Sequence, residues 1–175
     1  MPSEDEVRAV VRRVVADMSP NDHQTGAVGS GDGIAIGADH GGYTLKQKLA
    51  GYLREKGFDV NDCGTHGPEA VDYPDFARAV ALAVAGGASR WGIIIDGAGI
   101  GSCMAANKFR GIRAALCYDI SSARNSREHN HANVMTLGAG LIGESLARQI
   151  VDAWLATEWG GGRHARRVEK IEQEA

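Results

Sequence analysis

From Ile34 onward the chain alternates short apolar runs with stretches of helical period, and glycines stand at most of the junctions. The runs 34–37, 58–62, 91–96, 112–117 and 134–137 read as strands, and Tyr43 to Lys56, Tyr73 to Ala85, Gly99 to Lys108, Ile120 to Glu128 and Gly143 to Thr157 read as helices. Strands alternating with helices at this spacing predict an α/β domain, a doubly wound five-stranded parallel sheet covered on both faces. In such sheets ligands bind outside the carboxyl ends of the strands, near the point where strand order reverses. The polar residues expected there are Asp39 and His40, Cys63 to His66, Asp96 to Gly101, and Tyr118 with Asp119.

The first 33 residues follow another pattern. Val7, Val10, Val11, Val14, Val15 and Met18 fall on one helical stripe, and Ser3 with Glu6 fits a capping box whose acidic neighbours Glu4 and Asp5 suit a helix N-terminus. A polar, glycine-rich stretch follows. The organisation predicted is an amphipathic helix over 1–18, a flexible linker over 19–33, and a globular domain over 34–175 that ends in an arm. A formal charge of −3 gives no general attraction to nucleic acid or to an anionic membrane, and no apolar run is long enough to span a bilayer. Cys63, Cys103 and Cys117 form no C-x-x-C pair, as expected for a reduced cytoplasmic protein with neither disulfide nor structural zinc.

Four features could carry chemistry. The loop D-G-A-G-I-G over 96–101 joins a buried strand to a helix start, so its N–H groups can converge on a phosphate or a developing oxyanion. It lacks the dinucleotide spacing and has no G-K-[ST] after it. Asp39-His40 sits at a strand end before two glycines. R-E-H-N-H-A-N over 127–133 crowds polar side chains before the fifth strand, and His129 and His131, two apart without a supporting carboxylate cluster, do not suit metal binding. Arg163, Arg166 and Arg167 follow a glycine hinge and offer bidentate donors suited to phosphate, far enough along the chain that a partner subunit could bring them to the loops. Together these predict a small phosphorylated substrate handled by acid–base chemistry.

The segments G-A-D-H-G-G-Y-x-L-K (37–46), D-Y-P-D-F-A (72–77), G-A-G-I-G…A-A-N-K-F-R-G-I-R-A (97–114), S-R-E-H-N-H-A-N-V (126–134) and G-G-R-H-A-R-R-V (161–168) resemble the ribose-5-phosphate isomerase B family, which includes galactose-6-phosphate isomerase subunits. The resemblance runs from about Gly33 to Gln173. It implies a Rossmann-like homodimer, often paired into tetramers, that interconverts aldose and ketose phosphates without metal or organic cofactor. It further implies that Asp39 and His40 contact substrate, that Gly97, Ala98, Gly99, Ile100 and Gly101 stabilise an enediolate, and that His129 helps open the sugar ring. Asn130 would bind substrate, and Arg163 and Arg167 would bind its phosphate in the neighbouring subunit's site.

This chain departs from the family at the base. Many members carry Cys where Asp96 stands and Thr or Ser where Ala98 stands, and another branch places Glu at the position of Ser102. Two bases are therefore open: Asp96, whose burial would raise its basicity, and Cys103, whose thiolate a helix N-terminus would favour. The expected reaction is ribose 5-phosphate to ribulose 5-phosphate, with another sugar phosphate such as a tetrose, or binding without turnover, as alternatives. The leader over 3–18 resembles encapsulation peptides of bacterial microcompartments, which implies docking to a shell or cargo protein and a place in the compartment lumen. Packing on its own dimer and membrane-surface binding are the competing readings.

Overall fold

The computed structural model describes residues 33–173, so the helix and all but the last residue of the linker expected over 1–33 lie outside the described residues. Five strands, β1 (Ile34–Ala38), β2 (Val60–Asp62), β3 (Trp91–Asp96), β4 (Ala114–Leu116) and β5 (Val134–Gly138), form one all-parallel sheet in the order β2-β1-β3-β5-β4. Six helices connect and follow them: α1 (Tyr43–Glu55), α2 (Tyr73–Ala85), α3 (Ile100–Ala106), α4 (Ile120–Glu128), α5 (Glu144–Ala156) and α6 (Ala165–Glu172). The doubly wound, Rossmann-like architecture expected from the alternation is the one observed. Among the described residues no helix is long and apolar enough to cross a membrane.

Strand residues alternate between two cores, as a pleated strand requires. Ile34, Ile36, Ile93, Ile95, Met135 and Leu137 face α1, α4 and α5, where Leu49, Leu53, Ile150 and Trp154 are buried. Ala35, Ile94 and Val134 face α2 and α3, a thinner layer built on Ala77, Val80, Ala81 and Ala106. Each large apolar side chain so removed from water contributes roughly 1.5–3 kcal/mol. The thin layer depends on close approach: a Cβ on Gly92 would lie 2.7 Å from Val80 Cγ1.

Two expected strands are shorter than read. The run 58–62 ladders only over Val60–Asp62, because the Phe58 N–H is taken by Leu53 O (3.1 Å) in closing the end of α1. The run 112–117 ladders only over Ala114–Leu116, because the Ile112 N–H turns back to Phe109 O (3.1 Å). Both Phe58 and Ile112 are apolar because they pack on the cores from outside the ladder.

Strand order reverses at β1, flanked by β2 and β3, and the connections after β1 and β3 leave on opposite faces of the sheet. That geometry opens a crevice at their carboxyl ends.

Candidate active site

Three loops meet over the C-terminal edge of the sheet, those after β1, β3 and β5. Gly42 lies against β3 so closely that a Cβ there would stand 2.2 Å from Ile95 O. The Gly140 N–H donates to Gly97 O (3.0 Å) and the Ala139 N–H to Asp96 O (2.8 Å), which ties the β5 loop to the β3 loop. Gly99 caps α3 at φ +78°, a left-handed conformation that favours glycine.

Asp96 is the hub of this edge. Its carboxylate is nearly buried, at 5% exposure, and Oδ1 accepts from the N–H groups of Ala98 (2.8 Å) and Gly99 while Oδ2 accepts from the Ser102 N–H (3.1 Å). Two of the loop's donors, and that of Ser102 just beyond it, therefore point at the loop's own carboxylate. The N–H groups of Ile100 and Gly101, in the first turn of α3, have no intrahelical acceptor. The loop expected to converge on a ligand thus spends part of its N–H groups, those of Ala98 and Gly99, holding its own shape.

The carbonyl side of the loop is held as well. Thr136 Oγ1 donates to Gly99 O and Tyr118 Oη to Ala98 O, both at 2.8 Å. The Tyr73 ring lies where a Gly101 side chain would be, 2.6 Å from an added Cβ. Neither Tyr73 nor Thr136 was marked by sequence, since their roles depend on which strand neighbours which. Asp119, the other polar residue expected at this edge, forms a capping box with Ser122 at the start of α4, and those bonds hold its carboxyl below the usual range.

Asp39 and His40 sit beside the loop. Asp39 Oδ1 accepts from the Gly42 N–H (2.9 Å), and the exposed His40 ring places Nδ1 within 3.2 Å of Val71 O and 3.3 Å of Val71 N. The end of β2 is fixed from below by Lys46, fully buried on α1, whose Nζ reaches Asp62 Oδ1 at 2.5 Å, and that same oxygen accepts from the Gly64 N–H (3.0 Å).

Cys63 and Cys103 behave unlike reactive cysteines. Cys103 lies in the first turns of α3, but its Sγ turns to Ala114 O (3.3 Å) and burial pushes the thiol above its ordinary value, opposite to the thiolate expected from a helix start. Burial pushes Cys63 up to about 12.

The other candidate residues occupy the opposite edge. His129 and Asn130 close α4 just before β5, and so lie at the N-terminal end of the sheet, about 17 Å from Asp96 by the rise of β3. The expected glycine-hinged arm is here too. Gly161 and Gly162 take positive φ, a 3₁₀ turn (Gly162–His164) follows, and α6 folds back on the domain. His164 stacks on His129 with ring centroids 4.4 Å apart, and the Gly160 N–H donates to Glu128 O (2.9 Å). His129 Nδ1 pairs with Asn125 Nδ2 (2.9 Å). Arg163 and Arg167 stay exposed beside this stack, and desolvation together with His129 and both arginines lowers the His164 pKa. The structure therefore gathers Asp39, His40 and 96–101 at one end, and His129, Asn130, Arg163 and Arg167 at the other. One copy does not bring the two sets together. Among the described residues no cluster of three or more His, Cys, Asp or Glu could hold a metal ion.

Comparison with known proteins gives a consistent picture. The family model described as Ribose/Galactose Isomerase matches residues 34–171. The chain is 51% identical over 138 residues to ribose-5-phosphate isomerase B of Escherichia coli, covering 79% of this chain and 93% of that protein. It is 46% identical over 140 residues to D-erythrulose-4-phosphate isomerase of Pectobacterium atrosepticum, covering 79% and 91%. Among solved structures, ribose-5-phosphate isomerase B of Clostridium thermocellum superposes with a TM-score of 0.79 at 54% identity, covering 80% of this chain and 95% of that one.

Proposed function

The chain belongs to the ribose/galactose isomerase family and is a sugar-phosphate isomerase, and on that premise we propose that it interconverts ribose 5-phosphate and ribulose 5-phosphate through an enediolate at a site shared by two copies. The observation that carries the shared site is the split: the loop residues and the His-Asn-Arg set lie at opposite ends of one parallel sheet. A second copy, placed with its His129, Asn130, Arg163 and Arg167 over this copy's C-terminal edge, completes the constellation. A two-fold pair does this twice over.

In the reaction read this way, His129 protonates the ring oxygen while the anomeric hydroxyl gives up its proton, so the furanose opens to the free aldehyde. Asp96 then takes the proton from C2 of the aldose through Oδ2, the oxygen with a single N–H donor, and the electron pair moves into the enediolate. The remaining loop donors face the developing oxyanion. The proton returns to C1 and the O2 hydroxyl proton passes to O1, so that the ketose forms with no net gain or loss. Arg163 and Arg167 hold the phosphate. What supports Asp96 over Cys103 is position: its carboxylate ends β3 at the crevice, while the Cys103 thiol faces β4 and is pushed toward the neutral form.

A tetrose 4-phosphate is the second reading of the substrate. It is favoured by Ala98, which offers no hydroxyl for ring opening, and by the likeness to the D-erythrulose-4-phosphate isomerase. For the leader, the reading is cytoplasmic targeting to a microcompartment lumen through residues 3–18. Its support is that the family match begins only at residue 34, leaving the leader outside the catalytic unit.

The test is turnover in deuterated water, followed by NMR, on ribose 5-phosphate and erythrulose 4-phosphate. Ketose formation with deuterium entering C2 of the aldose is expected with the pentose; exchange with the tetrose alone moves the assignment to the second reading. Asp96→Asn should lower turnover by at least about 10³-fold. Asp96→Cys should restore part of it with the rising limb of the pH profile displaced upward, which loss of a merely structural carboxylate would not produce.

A further inference from the structure

The N-terminal end of the sheet carries a cleft that the isomerase chemistry does not use. It has a volume of about 600 Å³ and is walled by Arg90, Trp91, Arg113, Arg127, His131 and Trp159. Phe58, Leu155 and Ala156 form its floor and continue into a neighbouring hollow of about 230 Å³ bounded by Lys56 and Asp152. The result is a groove with an apolar floor and one basic end.

The basic end is unusual in its interior. Arg127 is 4% exposed, with its guanidinium 4.0 Å from the Trp91 ring and 5.1 Å from the Trp154 ring, and its Nε has no hydrogen-bond partner. Burial and the nearby Arg90 and Arg113 push its pKa down to about 10. The Arg90 guanidinium lies 4.7 Å from the centroid of the Trp91 ring, and Arg113 is paired with Glu172 of α6. Three cations share this end, against Glu158 and Glu172.

The chain enters the described domain at the same place. Gly33 O accepts from the N–H groups of Arg90 (2.9 Å) and Trp91 (3.2 Å), so residues 1–32 join the domain beside the basic end. We propose that this groove docks the chain's own N-terminal segment, with the acidic turn Glu4–Glu6 at the arginine end and the stripe of Val7, Val10, Val11, Val14 and Met18 along Phe58, Leu155 and Ala156. The sign of charge and the apolar stripe match the two parts of the groove in the same order.

Reach permits it. Sixteen residues in helical form extend about 24 Å. The 14 residues from 19 to 32 span at most about 46 Å, enough to return from the far end of the groove to Gly33. Tethering also supplies an effective concentration in the millimolar range, so an intrinsic Kd near 0.1 mM leaves the docked form about tenfold in excess. Docking in cis would hide the stripe from any outside groove until that groove competes for it. The inference does not depend on which sugar phosphate is the substrate, nor on the isomerase reading.

The test is amide hydrogen exchange on the intact chain. Residues 7–18 should exchange at least about tenfold more slowly than in the Glu4→Lys/Asp5→Lys/Glu6→Lys chain, independently of protein concentration. Arg90→Glu, at an exposed position, should release the segment equally, and combining it with the lysine leader should restore protection. Tryptophan emission should shift in the released variants, because Trp91 and Trp159 line the groove. Exchange at the unprotected rate in the unaltered chain would overturn the proposal. So would protection that Arg90→Glu leaves unchanged, or protection that vanishes on dilution, which would place the segment on a second copy.

Discussion

The two ends of this sheet are built by different chemistry. At the C-terminal end, glycines let main chain approach main chain, and a single carboxylate, Asp96, gathers three N–H groups. At the N-terminal end the contacts are between side chains: His129 on His164, His131 on Trp159 at 4.2 Å, and Arg127 between Trp91 and Trp154. A backbone-built edge holds fixed donors at fixed positions, which suits a developing charge. A ring-and-guanidinium edge is adaptable and offers planar, charged surfaces that suit anions and partners. The difference teaches that one fold can set reaction geometry at one end and recognition at the other, with the length of the strands between them.

That contrast can be broken most sharply by separating the ends into different molecules. Asp96→Asn and His129→Ala should each be inactive alone, yet mixing them after reversible dissociation should recover about a quarter of the wild-type sites, since half of the mixed pairs' sites are intact. No recovery would mean that both ends serve the same copy's site. Next in size, Gly42→Ala should cost about 3 kcal/mol or more of stability, because its Cβ would meet Ile95 O at 2.2 Å and main chain cannot yield as a side chain can. Chemical denaturation measures it, and a loss below 1 kcal/mol would show that the backbone-built edge is softer than its contacts imply.

Acid should act on the other end. His131 and His164 both have lowered folded-state pKa values, so the unfolded chain takes up their protons first as pH falls. Stability contributed there is complete above about pH 6.5 and declines below it. Melting temperature should fall between pH 7.5 and 5.5, and His164→Asn should flatten part of that slope. The smallest effect is expected at Ser102, whose buried Oγ lacks a partner beside the Asp96 carboxylate. Ser102→Ala should be neutral or stabilising by up to about 1 kcal/mol, read by denaturation, because it removes a polar atom that burial penalises.

Most of the architecture is legible in the amino-acid sequence, and the reasons are local. Runs such as W-G-I-I-I-D are buried on both faces, so continuous apolarity marks them without ambiguity. Asp119 and Asp72 stand at helix starts, and the helices begin there. The helix α6 was not legible. Its sequence A-R-R-V-E-K-I-E follows three glycines and buries only Val168, so an arm of arginines and a short helix look alike until His129 gives it a surface to pack on. The division of the candidate residues between the two ends was legible in part, since the chain places His129 ahead of a strand rather than after one. The N–H groups gathered by the Asp96 carboxylate were not legible, because they lie two, three and six residues on and no side-chain pattern records where they point.

The span of β3 between the two ends has one further consequence. If each site takes its halves from two molecules, specific activity becomes a readout of association: diluting the protein below its assembly constant would silence the reaction while every helix and strand stays folded. The cell could then set flux through this step by how densely the chains are gathered, with no effector bound and no residue modified.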